Sequence, residues 1–499
     1  MGFVSRPLYL TPEFLRGKPV EVLLDDEKLV AEDLNDDSLG RALDRLFEVG
    51  VTEIFAHVVS RALGELEIRV EAAHLDSTSF SLAGDYEARS SLDEKAITIT
   101  HGYSRDRRPD LKQAVLGMIC AHASAIPVWL SALDANSSDS ASFPGMVEAY
   151  VARFEAAKEE PPTVVADSAL YSAGTLQRIK GLRWITRVPT SIAEVKTLYR
   201  TVPLEQMLPI GDEEEDNYRI WPVEEVGYYG EEVAQRWLLV YSEAAYRREA
   251  SGLRRQIAKE RAEAEKTLKK LARRTYPGRE AAIAVVETLA DTSWRFHTAS
   301  EVEPIPVPKY HRSGRPREDQ QPDYVLWRPA GKVREDTEAI ESALITKGKF
   351  VLATSELDRR GLTDEALIEL YKAQNTTVER GFRFLKDPLF FASGLFLKKP
   401  ERVMALLMVM GLCLLIYAAC EQIVRGGLAR REETLPEQRG KPTPTPTMRR
   451  VLQIFEGIEV LTIEHPGGRR SRVVLNLSEL HRRILDLLGV APHGSVDEG

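Results

Sequence analysis

"PTVVADSALY", residues 162–171, carries an acid at the end of an apolar run. It reads as a short, almost wholly apolar strand ending in Asp167. Such a run marks a strand buried on both faces, as in a parallel sheet covered by helices. Asp167 stands where that strand gives out. A carboxylate at the end of a central strand is costly unless it is paired, hydrogen-bonded or metal-bound. The segment that follows, "SALYSAGTLQRIK", is helical, so Asp167 is also placed to cap a helix.

Working outward, the same mix of elements recurs. "LEIRVEAAHLDSTSFSL" (66–82), "KAITITHG" (95–102) and "AIPVWLSALD" (125–134) read as three strands, and the first carries Asp76 in "HLDSTSF". "RPDLKQAVLGMICAHA" reads as a helix opening near Pro109, and "FPGMVEAYVARFEAA" as another. "LRWITRVP" (182–189) and "KFVLATSE" (349–356) are further core strands. "TDEALIELYKAQNTTVERGFRFLKD" reads as one long helix with Thr363 as N-cap. The first three strands fit an antiparallel meander and the later ones fit parallel crossovers, which makes an α/β protein with a mixed sheet.

This pattern is interrupted. Residues 1–66 are an acidic, mostly helical lead-in, with Asp37 or Ser38 as an N-cap. The core spans 67–198 and resumes over 346–431. Between them, 199–345 is a β-rich insertion that includes the acidic loop "GDEEED" (211–216), hairpin strands and one long basic helix, 244–275. A Pro-rich linker (432–447) leads to a small hairpin-plus-helix module (448–499).

The chain has 499 residues, a net charge of −9, 43% hydrophobic and 29% charged residues, as in a water-soluble globular protein. Cys120, Cys413 and Cys420 are too few and scattered for a disulfide framework or a zinc site, and a reducing cytoplasm suits them. The amino terminus has no secretory pattern. The charge is segregated. Residues 247–279 hold twelve Lys and Arg against four Glu, whereas residues 1–53 hold twelve acids against six bases. A polyanion could bind the basic region, with Arg254, Arg255, Lys269 and Lys270 in contact. The uncharged run 403–420 is long enough to span a bilayer, but it also suits a buried core helix, and no membrane partner is expected.

"TTVERGFRFLKDPLF" (376–390) carries two faces on one helix. Val378, Phe382 and Leu385 form an apolar face; Glu379, Arg383 and Lys386 form a charged one. On its own the second face is an ordinary surface ion pair, contributing about 0.3–0.5 kcal/mol. Alongside Asp76 and Asp167 it acquires another meaning. Three hard carboxylates suit Mg²⁺ or Mn²⁺, and two such ions about 4 Å apart serve phosphoryl transfer. Lys386 would then meet a phosphate.

Taken in order, "HLDSTSF", "HGYSRDRRPDLKQAVLGMI", "VVADSALYS", "LRWITRVP", "KFVLATSE" and "VERGFRFLKDPLF" with the apolar helix after it resemble bacterial insertion-sequence transposases of the DDE type. The resemblance is to the cut-and-paste branch, whose RNase H-like core carries a mostly β insertion between the second Asp and the Glu. It implies that Asp76, Asp167 and Glu379 are the catalytic, metal-binding triad for two Mg²⁺ or Mn²⁺ ions. It also implies double-stranded DNA as partner (the element's terminal inverted repeats and target DNA) and a homodimer on that DNA. Of the branch signature Tyr-x2-Arg-x3-Glu-x6-Lys, Glu379 and Lys386 match. Tyr371 lies one residue too far upstream, and Asn375 stands where the Arg is expected; Tyr371 and Arg383 are the alternative phosphate contacts. Trp221, Trp237, Trp294 and Trp327 are candidates for stacking a flipped base. Relatives are expected to carry several dozen further residues ahead of "RPLYLTPEFL". The competing reading is a catalytically silent transposase that only binds DNA.

Overall fold

The computed structural model describes residues 8–26, 28–82, 84, 86, 95–104, 108–210, 218–223, 227–229, 233–311, 317, 320–387, 397–466, 470–490 and 496–497. The "GDEEED" loop and residues 388–390 lie outside them. The chain forms two compact units, one of residues 1–186, 228–235 and 354–499, the other of residues 187–227 and 236–353.

In the first unit, short helical turns between Leu8 and Leu34 lead to helices α1 (Asp36–Val49) and α2 (Val51–Glu65). The cap of α1 is Asn35, whose Oδ1 accepts the Ser38 N–H at 3.0 Å, rather than Asp37 or Ser38. Next come β1 (Ala72–Leu82), β2 (Lys112–Ala121), β3 (Pro127–Leu133), α3 (Asp139–Ala157), β4 (Thr163–Ala166) and β5 (Trp184–Arg187). The sheet order is β3-β2-β1-β4-β5. β1 and β3 flank β2 antiparallel, while β4 and β5 run parallel to β1. This is the meander-then-crossover arrangement of an RNase H-like mixed sheet.

Two expectations fail here. Residues 112–121, read as a helix, form β2. Every residue from Gln113 to Ala121 is buried, because helices cover both faces of the strand, and two-sided burial erases the alternation that marks a strand. Residues 95–102, read as a strand, contribute only an isolated bridge from Thr100 to Gln113.

The two faces are covered by different helices. Gly117 lies opposite Ser77, and a Cβ there would come within 2.4 Å of Met146 Sδ on α3, so α3 covers that face. The other face bears Asp76, Met118 and Leu130. It is covered by α2 and by α5 (Val378–Lys386) and α6 (Pro400–Arg431), which follow α4 (Asp364–Lys372). Thr363 caps α4 as expected, accepting the Ala366 N–H at 3.2 Å. The single long helix expected from 363 to 387 is broken, however. Residues 373–375 tighten into a 3₁₀ turn, and Thr377 leaves helical geometry at φ −106°, ψ −97°.

α6 contains the uncharged run 403–420 and is a core helix of this unit. Val403, Leu407, Met410 and Leu414 are buried, and Gly411 lets the backbone approach Leu130 and Phe55. The acidic lead-in is anchored on it: the Arg402 guanidinium holds both Asp44 oxygens at 2.7 Å and lowers that carboxyl below the usual carboxylate range.

The Pro-rich stretch 432–447 is packed rather than extended. Leu435 is fully buried among Val424, Leu428 and Ile484, and Leu435–Pro436 pairs with Pro442–Thr443. The tail then forms α7 (Met448–Ile454), the hairpin β6 (Glu459–Glu464) with β7 (Arg470–Leu475), and α8 (Glu479–Leu487).

The second unit pairs strand Tyr218–Pro222 antiparallel with Leu208–Ile210 and with Val233–Ser242, which neighbours Lys349–Thr354. Two further hairpin pairs join His297–Ser300 to Lys332–Glu335 and Ile305–Lys309 to Tyr324–Arg328. The basic helix runs Glu243–Leu271, capped by Ser242. Ala250, Leu253, Ile257 and Ala264 form its buried stripe. Arg254, Arg255, Lys269 and Lys270 are exposed. The four candidate tryptophans are each partly buried.

Candidate active site

Asp76 and Asp167 meet through strand register. Leu75 is aligned with Ala166 across the parallel β1–β4 pair. One residue further on, Asp76 continues β1, and Asp167 is the first residue past the end of β4. Neighbouring strands lie about 4.8 Å apart, and aligned residues on parallel strands project to the same face. Both carboxylates are half-buried. Asp167 also caps the 3₁₀ turn Ser168–Leu170 through Oδ1, which accepts the Ala169 N–H at 2.9 Å. Its carbonyl accepts the Thr186 hydroxyl at 2.6 Å, which ties β5 to the end of β4. Asp76 Oδ1 accepts the Ser77 N–H at 2.7 Å.

The surroundings of Asp76 are dry. Burial, with a smaller contribution from the Asp76 charge, pushes the Cys120 thiol up. His74, two residues before Asp76 on the same face, is fully buried and hydrogen-bonded Nε2 to His122 Nδ1 at 3.0 Å. Burial, reinforced by His122, lowers its pKa to about 3, so His74 is neutral at physiological pH. Nothing in the local sequence pattern signals this His pair.

Glu379 reaches the same face by helix packing. Val378, Phe382 and Leu385 are buried beneath α5. Gly381 lies so close to the sheet that a Cβ would come 2.9 Å from Met118 Cε and 3.0 Å from Leu414 Cδ2. Met118 is the cross-strand partner of Asp76, so the two side chains share a face. At the other end of α5, Lys386 Nζ stands 5.7 Å from the centre of the Phe80 ring, on that face four residues along β1 from Asp76. Seven helical residues span about 10 Å and four strand residues about 13 Å. These two approaches, Gly381 to Met118 and Lys386 to Phe80, lay α5 along β1.

The three carboxylates are not gathered into a cluster. Among the described residues, no set of three His, Cys, Asp or Glu side chains stands close enough to hold an ion. Glu379 is exposed on the first turn of α5, where the Asn375 amide, turned so that its nitrogen faces the carboxylate, donates to Oε2 at 3.0 Å and to Oε1 at 3.1 Å. Arg383 Nη2 donates to the Asn375 carbonyl at 2.8 Å and braces the same turn. Tyr371 lies on the last turn of α4, partly buried. The donor chemistry fits Mg²⁺ or Mn²⁺, since all three groups are carboxylates.

Arg380 lies about 100° from Glu379 around the helix and chelates Glu421 of α6. The signal in the sequence is Glu421 itself, a single acid at the end of an eighteen-residue uncharged run.

Residues 72–416 match the family model described as Transposase DDE domain, and residues 1–60 match one described as Domain of unknown function (DUF4277). No curated protein matches the chain significantly. Among solved structures, a piggyBac transposase synaptic complex with hairpin DNA is 10% identical, over 85% of this chain and 58% of that one, with a TM-score of 0.33. A Mos1 transposase paired-end complex with left transposon end is 13% identical over 39% and 62% of the two chains, at a TM-score of 0.17. A Mos1 mariner paired-end complex with Mn gives 9%, over 29% and 40%, at 0.15. The chain thus spans under three fifths of the piggyBac chain. With the family model covering more than two thirds of its length, the chain belongs to the transposase DDE domain family.

Proposed function

We propose that the chain is a metal-dependent DNA transposase that cleaves strands at the ends of an insertion sequence and joins them to target DNA. The observation that carries this is the register of Asp76 beside Asp167, with the Glu379 helix on the same sheet face. Asp76, Asp167 and Glu379 would hold Mg²⁺ or Mn²⁺, as two ions. The bound metal supplies activation of the attacking oxygen and stabilisation of the leaving one. The protein's own contribution is positional. β1 would supply one carboxylate, the end of β4 the second and α5 the third, over a floor of buried His74, Cys120 and Met118. Double-stranded DNA is the substrate, two ends imply a homodimer on the DNA, and the cytoplasm is the compartment.

Cleavage of a duplex carrying the element's terminal repeat, with Mg²⁺ and with EDTA, tests this reading. Binding without metal-dependent cleavage would establish the silent DNA-binding alternative instead.

Lys386 would contact the phosphate next to the scissile one. Lys386→Ala is expected to slow cleavage about 10–100-fold, the effect of removing one charge-assisted hydrogen bond. Lys386→Arg should recover part of the rate, because the charge is kept while the geometry changes. An undiminished rate for Lys386→Ala would remove it from the site.

The basic helix offers a second check. Charge reversal at Arg254, Arg255, Lys269 and Lys270 is expected to weaken binding to any DNA sequence. It should also flatten the log–log salt dependence by about 0.9 for each phosphate that is no longer neutralised. An unchanged slope would show a merely solvated helix face.

A further inference from the structure

Glu421 is a buried carboxylate, its side chain only 4% exposed, at the end of the uncharged run of α6. Such a group persists only when its oxygens are fully compensated. Three donors do this. Arg380 Nη2 bonds both oxygens, Arg425 Nη2 lies 2.9 Å from Oε1, and the backbone N–H of Met448 donates to Oε2 at 2.8 Å. Arg425 is on α6 itself, one turn on. Arg380 comes from α5 and Met448 opens α7. The carboxylate therefore joins three helices at one point, and one of its ligands is the residue after Glu379.

A nine-residue helix has little stability or orientation of its own. The apolar face of α5 fixes which side lies on the sheet, but leaves freedom to slide or roll. Charged ties remove that freedom, one near each end. Besides Arg380–Glu421, the Asp387 carboxylate after the last turn accepts from Arg449 Nη1 at 3.0 Å, and Arg449 N–H is in turn held by the Tyr417 hydroxyl at 2.8 Å. Both ties lead to the first two residues of α7.

We propose that Arg380 and Glu421 are positioning residues of the active site: their buried pair, supported by the start of α7, sets the roll and axial position of α5 and so fixes where Glu379 presents its carboxylate. This rests on the reading of Glu379 as a metal ligand.

A matched pair of variants tests it. Arg380→Met and Arg425→Met each remove one cation from the same carboxylate, and both should lower the melting temperature. Only Arg380 lies on α5. Arg380→Met is therefore expected to speed amide exchange in residues 378–386 by about tenfold or more. It should also raise the Mn²⁺ concentration for half-saturation, followed by the electron paramagnetic resonance of free Mn²⁺, and slow cleavage, each by about 10–100-fold. Arg425→Met should leave all three within about threefold of the unmodified chain, and Arg380→Lys should restore part of each loss. Equal behaviour of the two Met variants in exchange, metal binding and cleavage would reduce the pair to a fold-stabilising contact and overturn the proposal. Glu379→Ala is run in parallel. Unaltered Mn²⁺ binding in that variant would refute the ligand reading, whereas the exchange measurement still decides whether Arg380 fixes the helix.

Discussion

Asp76→Ala, Asp167→Ala and Glu379→Ala are each expected to lower metal-dependent strand cleavage by more than about 10³-fold, some 4 kcal/mol of transition-state stabilisation. DNA binding should survive, because three carboxylates add nothing to contacts with a polyanion. The sharper variant is Asp167→Asn. Asp167 caps the turn Ser168–Leu170 through one oxygen, and Asn caps a helix about as well as Asp. If Asp167 serves only as a cap, Asp167→Asn leaves both stability and cleavage intact, and Asp167→Ala costs about 1 kcal/mol of stability. If it is a ligand, Asp167→Asn keeps the fold and loses the reaction, because a neutral amide is a far poorer ligand for a hard cation. Urea unfolding and cleavage of a terminal-repeat duplex, measured on the same preparations, separate the two. Full cleavage by Asp167→Asn would end the triad reading.

The parts of this molecule that are legible in the sequence are those where local chemistry and tertiary role agree. "VVAD" reads as a doubly buried strand ended by an acid, and β4 with Asp167 is just that. Thr363 reads as a cap and is one. The hairpin strands and the basic helix of the insertion also follow local pattern. β2 is illegible because its neighbours, not its own sequence, decide its state. "QAVLGMICA" has no periodicity once α3 covers one face and α5 and α6 the other, and a uniform apolar run suits a helix or a strand equally. The break in the long helix at 373–377 is also hidden, since Gln374, Asn375 and Thr376 are residues that helices commonly tolerate.

The site is legible as a set of residue types and illegible as geometry. Strand-end acids mark Asp76 and Asp167, but their register is a non-local fact. Helical periodicity puts Glu379 and Lys386 on one side of α5, and the approach of Lys386 to the Phe80 ring agrees with it. The same periodicity sets Arg380 about 100° away. Taken from one helix alone, that rotation points to solvent. In the fold it points to α6, because a short helix lying on a sheet has a neighbour on its flank as well as beneath it. The amphipathic pattern of one helix cannot reveal a charged partner forty residues on; only the isolated acid in the apolar run could hint at it.

That acid yields the largest expected effect on stability. Glu421→Ala removes the carboxylate shared by Arg380 and Arg425, whose side chains are 34% and 26% exposed. It leaves Arg425 only its carbonyl acceptors Pro446 and Thr445 among the described residues, and leaves the Met448 N–H without its acceptor. Breaking a buried pair on one side typically costs about 3–5 kcal/mol. Partial exposure lets water reach the two guanidinium groups, so the lower end, about 3 kcal/mol, is expected here. Against a usual total of about 5–15 kcal/mol, that lowers the urea midpoint markedly. The cost arises from stranded charge rather than from the worth of the pair. Hence Arg380→Met, Glu421→Leu and Arg425→Met combined should recover most of the stability lost by Glu421→Ala alone, since an apolar cluster of similar volume replaces a buried ionic one at little cost. It should not recover cleavage, because the charged tie that sets α5 is gone. Stability lost in Glu421→Ala and equally lost in the triple variant would show that the hub acts through hydrogen bonds that no apolar packing can replace.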